Sequence, residues 1–257
     1  MTHNNPVRQH TLGRLGRLGL LLVALCWATP TPAIECTHDA QLEAPMSLCR
    51  VDLTHDRLEL FWLNEHREPY REFVALQQSL RAKDQNLIFA MNAGMYLTDY
   101  SPLGLFVSDH HEHPHLNVRT GKGNFYAQPN GVFMVDDQGA HIVTTAEYRS
   151  GSFKPRLATQ SGPILVQHGQ LTHSAVMSPT STSDRIRNGV CVLSSHHVVF
   201  VISDAPVTFH QFGRYFLKNL QCRDALFFDG TVSSLYAPSL KRADNSTELG
   251  PMIGVVR

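Results

Sequence analysis

The chain has 257 residues, 42% of them hydrophobic and 17% charged, an ordinary globular composition with room for one large domain. Its 22 basic and 22 acidic residues cancel, so no overall field recruits nucleic acid or an anionic membrane surface. The unusual count is 15 histidines, which make the net charge climb steeply between about pH 7 and pH 5.5.

Residues 1–33 read as a secretory signal peptide. Arg8, Arg14 and Arg17 form a basic start, LGLLLVALCWA (Leu18 to Ala28) an apolar run, and TPTPA a small-residue region for cleavage after Ala33. The run falls short of the ~20 residues that span a bilayer, so a membrane is a partner only if this segment stays uncleaved. Leu25 before Cys26 argues against a lipidated cysteine. Residues 34–257 are then expected to form one exported domain, periplasmic or secreted. Without Cys26, four cysteines remain: Cys36, Cys49, Cys191 and Cys222. An oxidising compartment favours disulfides, and three pairings are open. Cys36 with Cys49 and Cys191 with Cys222 is the favoured set, the first closing a short loop and the second tying a strand to a helix end.

Strand signals dominate the rest of the chain. RVDLTHDRLELFWLN predicts two strands around a Thr-His-Asp turn, with Val51, Leu53, Leu58 and Leu60 alternating with polar residues. REFVALQQSLRAK predicts a helix with Phe73, Leu76 and Leu80 on one face. NLIFAMN fits a buried strand, and LGLFVSDHHEHPHLNV fits strand, polar tip, strand. Hairpins are predicted for NGVFMVDDQGAHIVTTA, turning at DDQG, for GPILVQHGQL, turning at His168-Gly169, and for GVCVLSSHHVVFVIS, turning near Ser195-His196. TFHQFGRYFLKNL predicts the second helix, ALFFDG a buried strand, and MIGVV a closing strand. The fold class is therefore α+β, a mixed, largely antiparallel sheet with hairpins and two main helices.

Three strands run straight into small and polar residues, where side chains meet ligands most readily. They end at Asn92 and Gly94, at Gln160-Ser161-Gly162, and at Asp229-Gly230. Each also reads as an ordinary turn. The histidine-rich DHHEHPH, residues 109–115, invites a metal reading, but alternating imidazoles at a solvated tip lack the fixed ligands of a built site. No cofactor is required by the sequence, and a structural calcium would leave no spacing signature.

NAGMY, GNFYAQPNGVF, ATQSGPILV, IRNGVCV and FFDGTVSSLYAP occur in this order between about residue 50 and the C-terminus. Together they resemble the phosphodiester glycosidase family, which includes the catalytic domain of the lysosomal uncovering enzyme and exported bacterial relatives. The family's Asn-Gly-Gly-aromatic turn corresponds to Asn92-Ala93-Gly94-Met95-Tyr96, its Gly-Pro element to Gly162-Pro163, and its Arg-Thr-Ala-x-Gly strand to Arg187 alone. Its Asp-Gly-Gly-x-Ser element corresponds to Asp229, Gly230 and Ser233, with Thr231 in place of the second glycine.

The resemblance implies a hydrolase that cleaves a sugar from a glycosyl phosphodiester, an N-acetylglucosamine-1-phosphodiester or an envelope polysaccharide. Such chemistry needs a cation for the phosphate and a carboxylate for water or for oxocarbenium-like charge. Arg187 suits the first, since a guanidinium grips phosphate with two donors, and Asp229 suits the second. Asn92, Gly94, Gly162, Gly230 and Ser233 are the expected substrate-binding positions. Asp99, Asp204, Glu147, His210, Lys122 and Asn124 are weaker candidates. A carbohydrate- or envelope-polymer-binding protein without turnover is the alternative, and a metal-buffering protein a third reading.

Overall fold

The computed structural model describes residues 1–4, 34–40 and 44–257; residues 5–33 of the expected signal segment, Cys26 among them, lie outside the described residues. The chain divides into two units, Met1–Thr31 and Pro32–Arg257. The second unit carries the α+β fold, and its strands pair antiparallel in three sheets.

The largest sheet has seven strands in the order Glu35–Asp39, Met46–Asp52, His197–Ser203, Asn188–Ser194, Asp224–Asp229, Ile164–Gln167, Gln170–Leu171. A five-stranded sheet runs Arg242–Ala243, Leu235–Ala237, Leu87–Asn92, Met252–Val256, Leu58–Phe61. The other five-stranded sheet runs His111–Glu112, Phe106–Ser108, Leu157–Ser161, Gly131–Asp136, Gly139–Thr144.

Alternation along the strands explains how the sheets meet. Phe200, Phe228, Phe89, Ile253, Phe133 and Val135 turn inward and share one core built from all three sheets. The residues between them turn outward under a helix. Val199, Val201 and Phe227 pack under α3 (Phe209–Arg214). Ala90 and Met252 pack under α1 (Phe73–Arg81), whose Phe73, Leu76 and Leu80 are buried as the spacing predicts. Val132 and Met134 meet Tyr148 of α2 (Thr145–Ser150). With both faces covered, a strand such as VVFVI reads as a continuous apolar run.

Several expectations need correcting. There are three α-helices among the described residues, because α2 follows the strand Gly139–Thr144 directly. Thr144 caps it reciprocally with Glu147. The second expected helix changes winding: α3 gives way to a π-helical turn at Tyr215–Asn219, and neighbours Tyr215 and Phe216 are both buried. The predicted strands around Thr54-His55-Asp56 exist, but they belong to different sheets. The expected strand, polar tip and strand are present, but the return strand begins inside the histidine-rich segment. The strand Phe106–Ser108 turns over Asp109 and His110, both at positive φ, and returns at once as His111–Glu112.

The structure pairs Cys36 with Cys49 and Cys191 with Cys222. The first joins directly opposed positions on neighbouring strands. The second ties the strand Asn188–Ser194 to the segment after the π-helical turn.

Candidate functional site

Asp229 is the last residue of its strand and is 7% exposed. The chain turns over its carboxylate, and Oδ1 accepts from the backbone N–H groups of Gly230 (2.6 Å), Thr231 (2.7 Å) and Val232 (3.4 Å). Burial pushes its pKa up, while these three donors pull it back. Among the described residues Oδ2 has no hydrogen-bond partner, so this oxygen is the one available to a ligand.

Two asparagines hold this turn. Asn188 Nδ2 donates to the carbonyl (2.9 Å) and Oδ1 (3.0 Å) of Asn92, and both side chains are fully enclosed. Asn188 Oδ1 accepts from the Asp229 N–H at 3.1 Å, and Asn92 Oδ1 from the Ser234 N–H at 2.9 Å. The pair thus joins strand ends from two sheets to the 230–234 turn. Ser233 Oγ has one proton and three acceptors near it: the carbonyls of Asp229 (2.8 Å) and Ile186 (3.1 Å), and Asn188 Oδ1 (3.2 Å). Thr159 Oγ1 bonds the Ala93 carbonyl at 2.6 Å, and Ser161 Oγ bonds the Phe228 carbonyl at 2.9 Å. Gly94 crosses this strand at φ 140°, where a side chain would sit 3.3 Å from Thr159 Oγ1. Gly162 packs against Asn130 and the Phe125 carbonyl, away from Asp229.

Arg187 is 1% exposed. Its Nε donates to the Val207 carbonyl (2.8 Å) and Nη2 to the Ser183 carbonyl (2.9 Å). The guanidinium lies 3.7 Å over the Phe209 ring, within cation–π range. Nη1 is buried with no partner. A side chain added at Gly230 would sit 3.2 Å from this nitrogen and 3.3 Å from the Phe227 ring, so the glycine backbone is what faces Nη1. No carboxylate among the described residues pairs with Arg187. Burial, reinforced by Arg185, pulls its pKa down to about 10, still charged at neutral pH.

The flanks add two features. Tyr96 stands close enough to Asp229 to feel its charge; burial first, then that charge, pushes the phenol up to about 12. It stacks on Tyr100 at 5.8 Å. On the Ser233 side an open cleft of about 550 Å³ is lined by Ile186, Ser203, Ser233, Asp204, Arg242 and Asp244.

The weaker candidates lie elsewhere or are occupied. Asp99 caps its own turn through Ser101, whose hydroxyl and N–H hold the carboxylate below its ordinary range. Glu147 is taken by Thr144. Asp204 is tied to Arg242, Ser47 and His38. His210 lines a separate cavity with Arg214 and Lys218. Lys122 is exposed, and Asn124 opens a short 3-10 turn. The histidines of 109–115 do not converge: His115 meets Glu112, His113 stacks on Trp62, and among the described residues no three His, Cys, Asp or Glu side chains are grouped so as to hold a metal ion. Asn188, Tyr96 and Arg185 were missed by the sequence. Asn188 had one signal, an asparagine beside Arg187 at the start of an apolar strand.

Comparisons with known proteins place the chain, though not its individual site residues, in a family. A phosphodiester glycosidase family model matches residues 85–256, about two thirds of the chain. The uncharacterized protein YigE of Escherichia coli (strain K12) is 32% identical over 181 residues, covering 70% of each chain. The catalytic domain of zebrafish N-acetylglucosamine-1-phosphodiester alpha-N-acetylglucosaminidase, auto-inhibited by its pro-peptide, superposes with a TM-score of 0.64 at 12% identity, over 88% of this chain and 84% of that one. A hypothetical protein from Synechocystis superposes with a TM-score of 0.55 at 12% identity, over 87% of this chain and 61% of that one. At such identity the two structural likenesses concern the fold alone. With the family model over most of its length and a relative at 32% identity, the chain belongs to the phosphodiester glycosidase family.

Proposed function

We propose that this protein is an exported hydrolase that releases a sugar from a glycosyl phosphodiester, with Asp229 and Arg187 as its catalytic residues. The observation that carries the reading is the unpartnered, buried Nη1 of Arg187, which faces the Cα of Gly230, the residue that follows Asp229. A buried cation with a free donor and no ion-paired carboxylate, Asp184 acting on it only at a distance, suits an anion.

The phosphate is a good leaving group, so the reaction does not need the raised-pKa acid of ordinary glycoside hydrolysis. Arg187 Nη1 donates to a phosphate oxygen and gains strength as the C1–O bond breaks and charge collects there. The ester leaves as a phosphate monoester anion. Water supplies the oxygen that bonds C1, and its proton passes to Asp229 Oδ2. The backbone donors on Oδ1 fix the carboxylate while Oδ2 acts. The sugar is assigned to the cleft bordered by Ser233 and Ile186, reached from the Asp229 turn through Ser233.

Asn92 and Gly94 support this arrangement rather than touch substrate, because the Asn92 amide is enclosed and engaged with Asn188 and Ser234. Gly162 serves the same supporting part, whereas Gly230 borders the phosphate directly. No cofactor enters the mechanism. The two disulfides fit the oxidising compartment that export would provide.

Purified protein assayed with methyl N-acetylglucosamine-1-phosphodiester tests the proposal. Asp229→Ala and Arg187→Ala should each lower kcat/KM at least ~10³-fold with the fold intact. Near-normal turnover in both, or sugar binding with no turnover in the parent protein, contradicts it.

A further inference from the structure

A second groove of about 400 Å³ lies beside α2 and the segment 117–130. Its walls carry the carboxamides of Asn117, Gln128 and Asn130 and the guanidinium groups of Arg119 and Arg149, with Thr120 at the edge. No acid lines it, and the sequence holds no Asp or Glu from 113 to 135. The adjacent Glu147 carboxylate is bonded to Thr144. Arg119 is oriented by Asn117 Oδ1, which accepts from its Nε at 3.3 Å, and neither arginine makes an ion pair among the described residues.

The groove is rigidly connected to the Asp229 turn. Gln160 is its backing: Oε1 accepts from the N–H groups of Leu105 (3.0 Å) and Asn117 (2.8 Å), and Nε2 donates to the Asn117 carbonyl (2.8 Å) and Thr145 Oγ1 (3.1 Å). The next residue, Ser161, bonds the Phe228 carbonyl, one position before Asp229. One strand end therefore separates the two sites.

We propose that this groove binds a further anionic sugar unit of a polymeric substrate, so that the protein acts on the end of an anionic glycan rather than on a small phosphodiester. The chemistry of the lining matches such a unit. The carboxamides of Asn117 and Asn130 are engaged within the fold and shape the wall; the exposed Gln128 carboxamide, with Thr120 beside it, is the group that can meet a sugar hydroxyl. A guanidinium fork suits a phosphate or carboxylate, and two of them without a competing acid suit an anion held away from the scissile bond. The proposal rests on the reading of Asp229 and Arg187 given above for which bond is cut, but its test does not depend on turnover.

The test uses full-length protein carrying Asp229→Asn, so that nothing is cleaved. Titration calorimetry at about 150 mM salt, where long-range attraction is screened, compares a synthetic tetramer of N-acetylglucosamine-1-phosphate with the methyl monomer. The tetramer should bind at least about tenfold more tightly. Adding Arg119→Gln and Arg149→Gln should erase that advantage; both side chains are exposed, and an unchanged unfolding midpoint verifies the fold. Equal affinity for tetramer and monomer overturns the proposal. So does an advantage that survives the double substitution, or an equal loss of affinity for dextran sulfate, which would mark non-specific charge. If the parent protein hydrolyses no diester at all, the assignment of Asp229 and Arg187 fails, while the tetramer comparison still decides the groove.

Discussion

Burying Arg187 costs stability, because its guanidinium leaves water and finds only two carbonyls and an aromatic face. Its fork geometry is what the proposed chemistry uses, so charge alone should not replace it. Arg187→Lys keeps the charge but should lower kcat/KM at least ~100-fold in a steady-state assay. Asp229 stores a cost of the opposite sign. Its folded-state pKa lies above the unfolded value near ~3.9, so its favourable contribution to folding is present below that value and lost as pH rises through the folded one. At neutral pH the ionised carboxylate is therefore a burden. Asp229→Asn keeps an acceptor for the three N–H groups and removes the charge; Tm at pH 7 should rise by about 2–4 °C, the shift that ~1 kcal/mol produces in a domain of this size, while turnover disappears. The acid limb of the kcat/KM profile should also lie above the free-aspartate value, since the reaction needs the ionised form. A Tm that falls in the asparagine variant would show that burial does not dominate at this carboxylate.

At the scale of elements, the asparagine pair is what turns three strand ends into a site. Asn92→Ala would leave the Ser234 N–H without its partner in a closed interior and would take from the Asn188 amide its side-chain acceptor, leaving it the residue 92 carbonyl. The loss should be about 2–3 kcal/mol, read from urea unfolding. The Cys191–Cys222 bond closes a loop of sequence separation 31, and replacing both cysteines by serine should cost ~3–4 kcal/mol in the same measurement. Local patterns made the hairpins legible: Gly131–Asp136 with Gly139–Thr144, and Asn188–Ser194 with His197–Ser203, turn where the sequence predicts. The helix α2 was equally local, since Thr144 and Glu147 stand three apart as a capping box, but the signal sits at the end of an apolar strand and reads as part of it. Sheet membership was not legible. Leu58–Phe61 pairs with Met252–Val256, and no short-range pattern reports a partner so distant along the chain. Asn188 shares this difficulty, because its meaning lies in Asn92, 96 positions away. Asp229 was legible for the opposite reason: an acid closing a run of four apolar residues is conspicuous by itself.

At the scale of the whole molecule, three sheets give one face each to a common core and the other to a helix, and the site forms where strands of two sheets end. That plan holds Asp229 and Arg187 on rigid backbone and leaves loops to shape what surrounds them. The histidine-rich hairpin lies at the edge of its sheet. The central claim is that the sugar C1–O bond, not the P–O bond, is broken. Hydrolysis of methyl N-acetylglucosamine-1-phosphodiester in ¹⁸O water, followed by mass spectrometry of both products, tests it most directly. The account predicts the label in the released sugar and none in methyl phosphate; label in the phosphate product would contradict it.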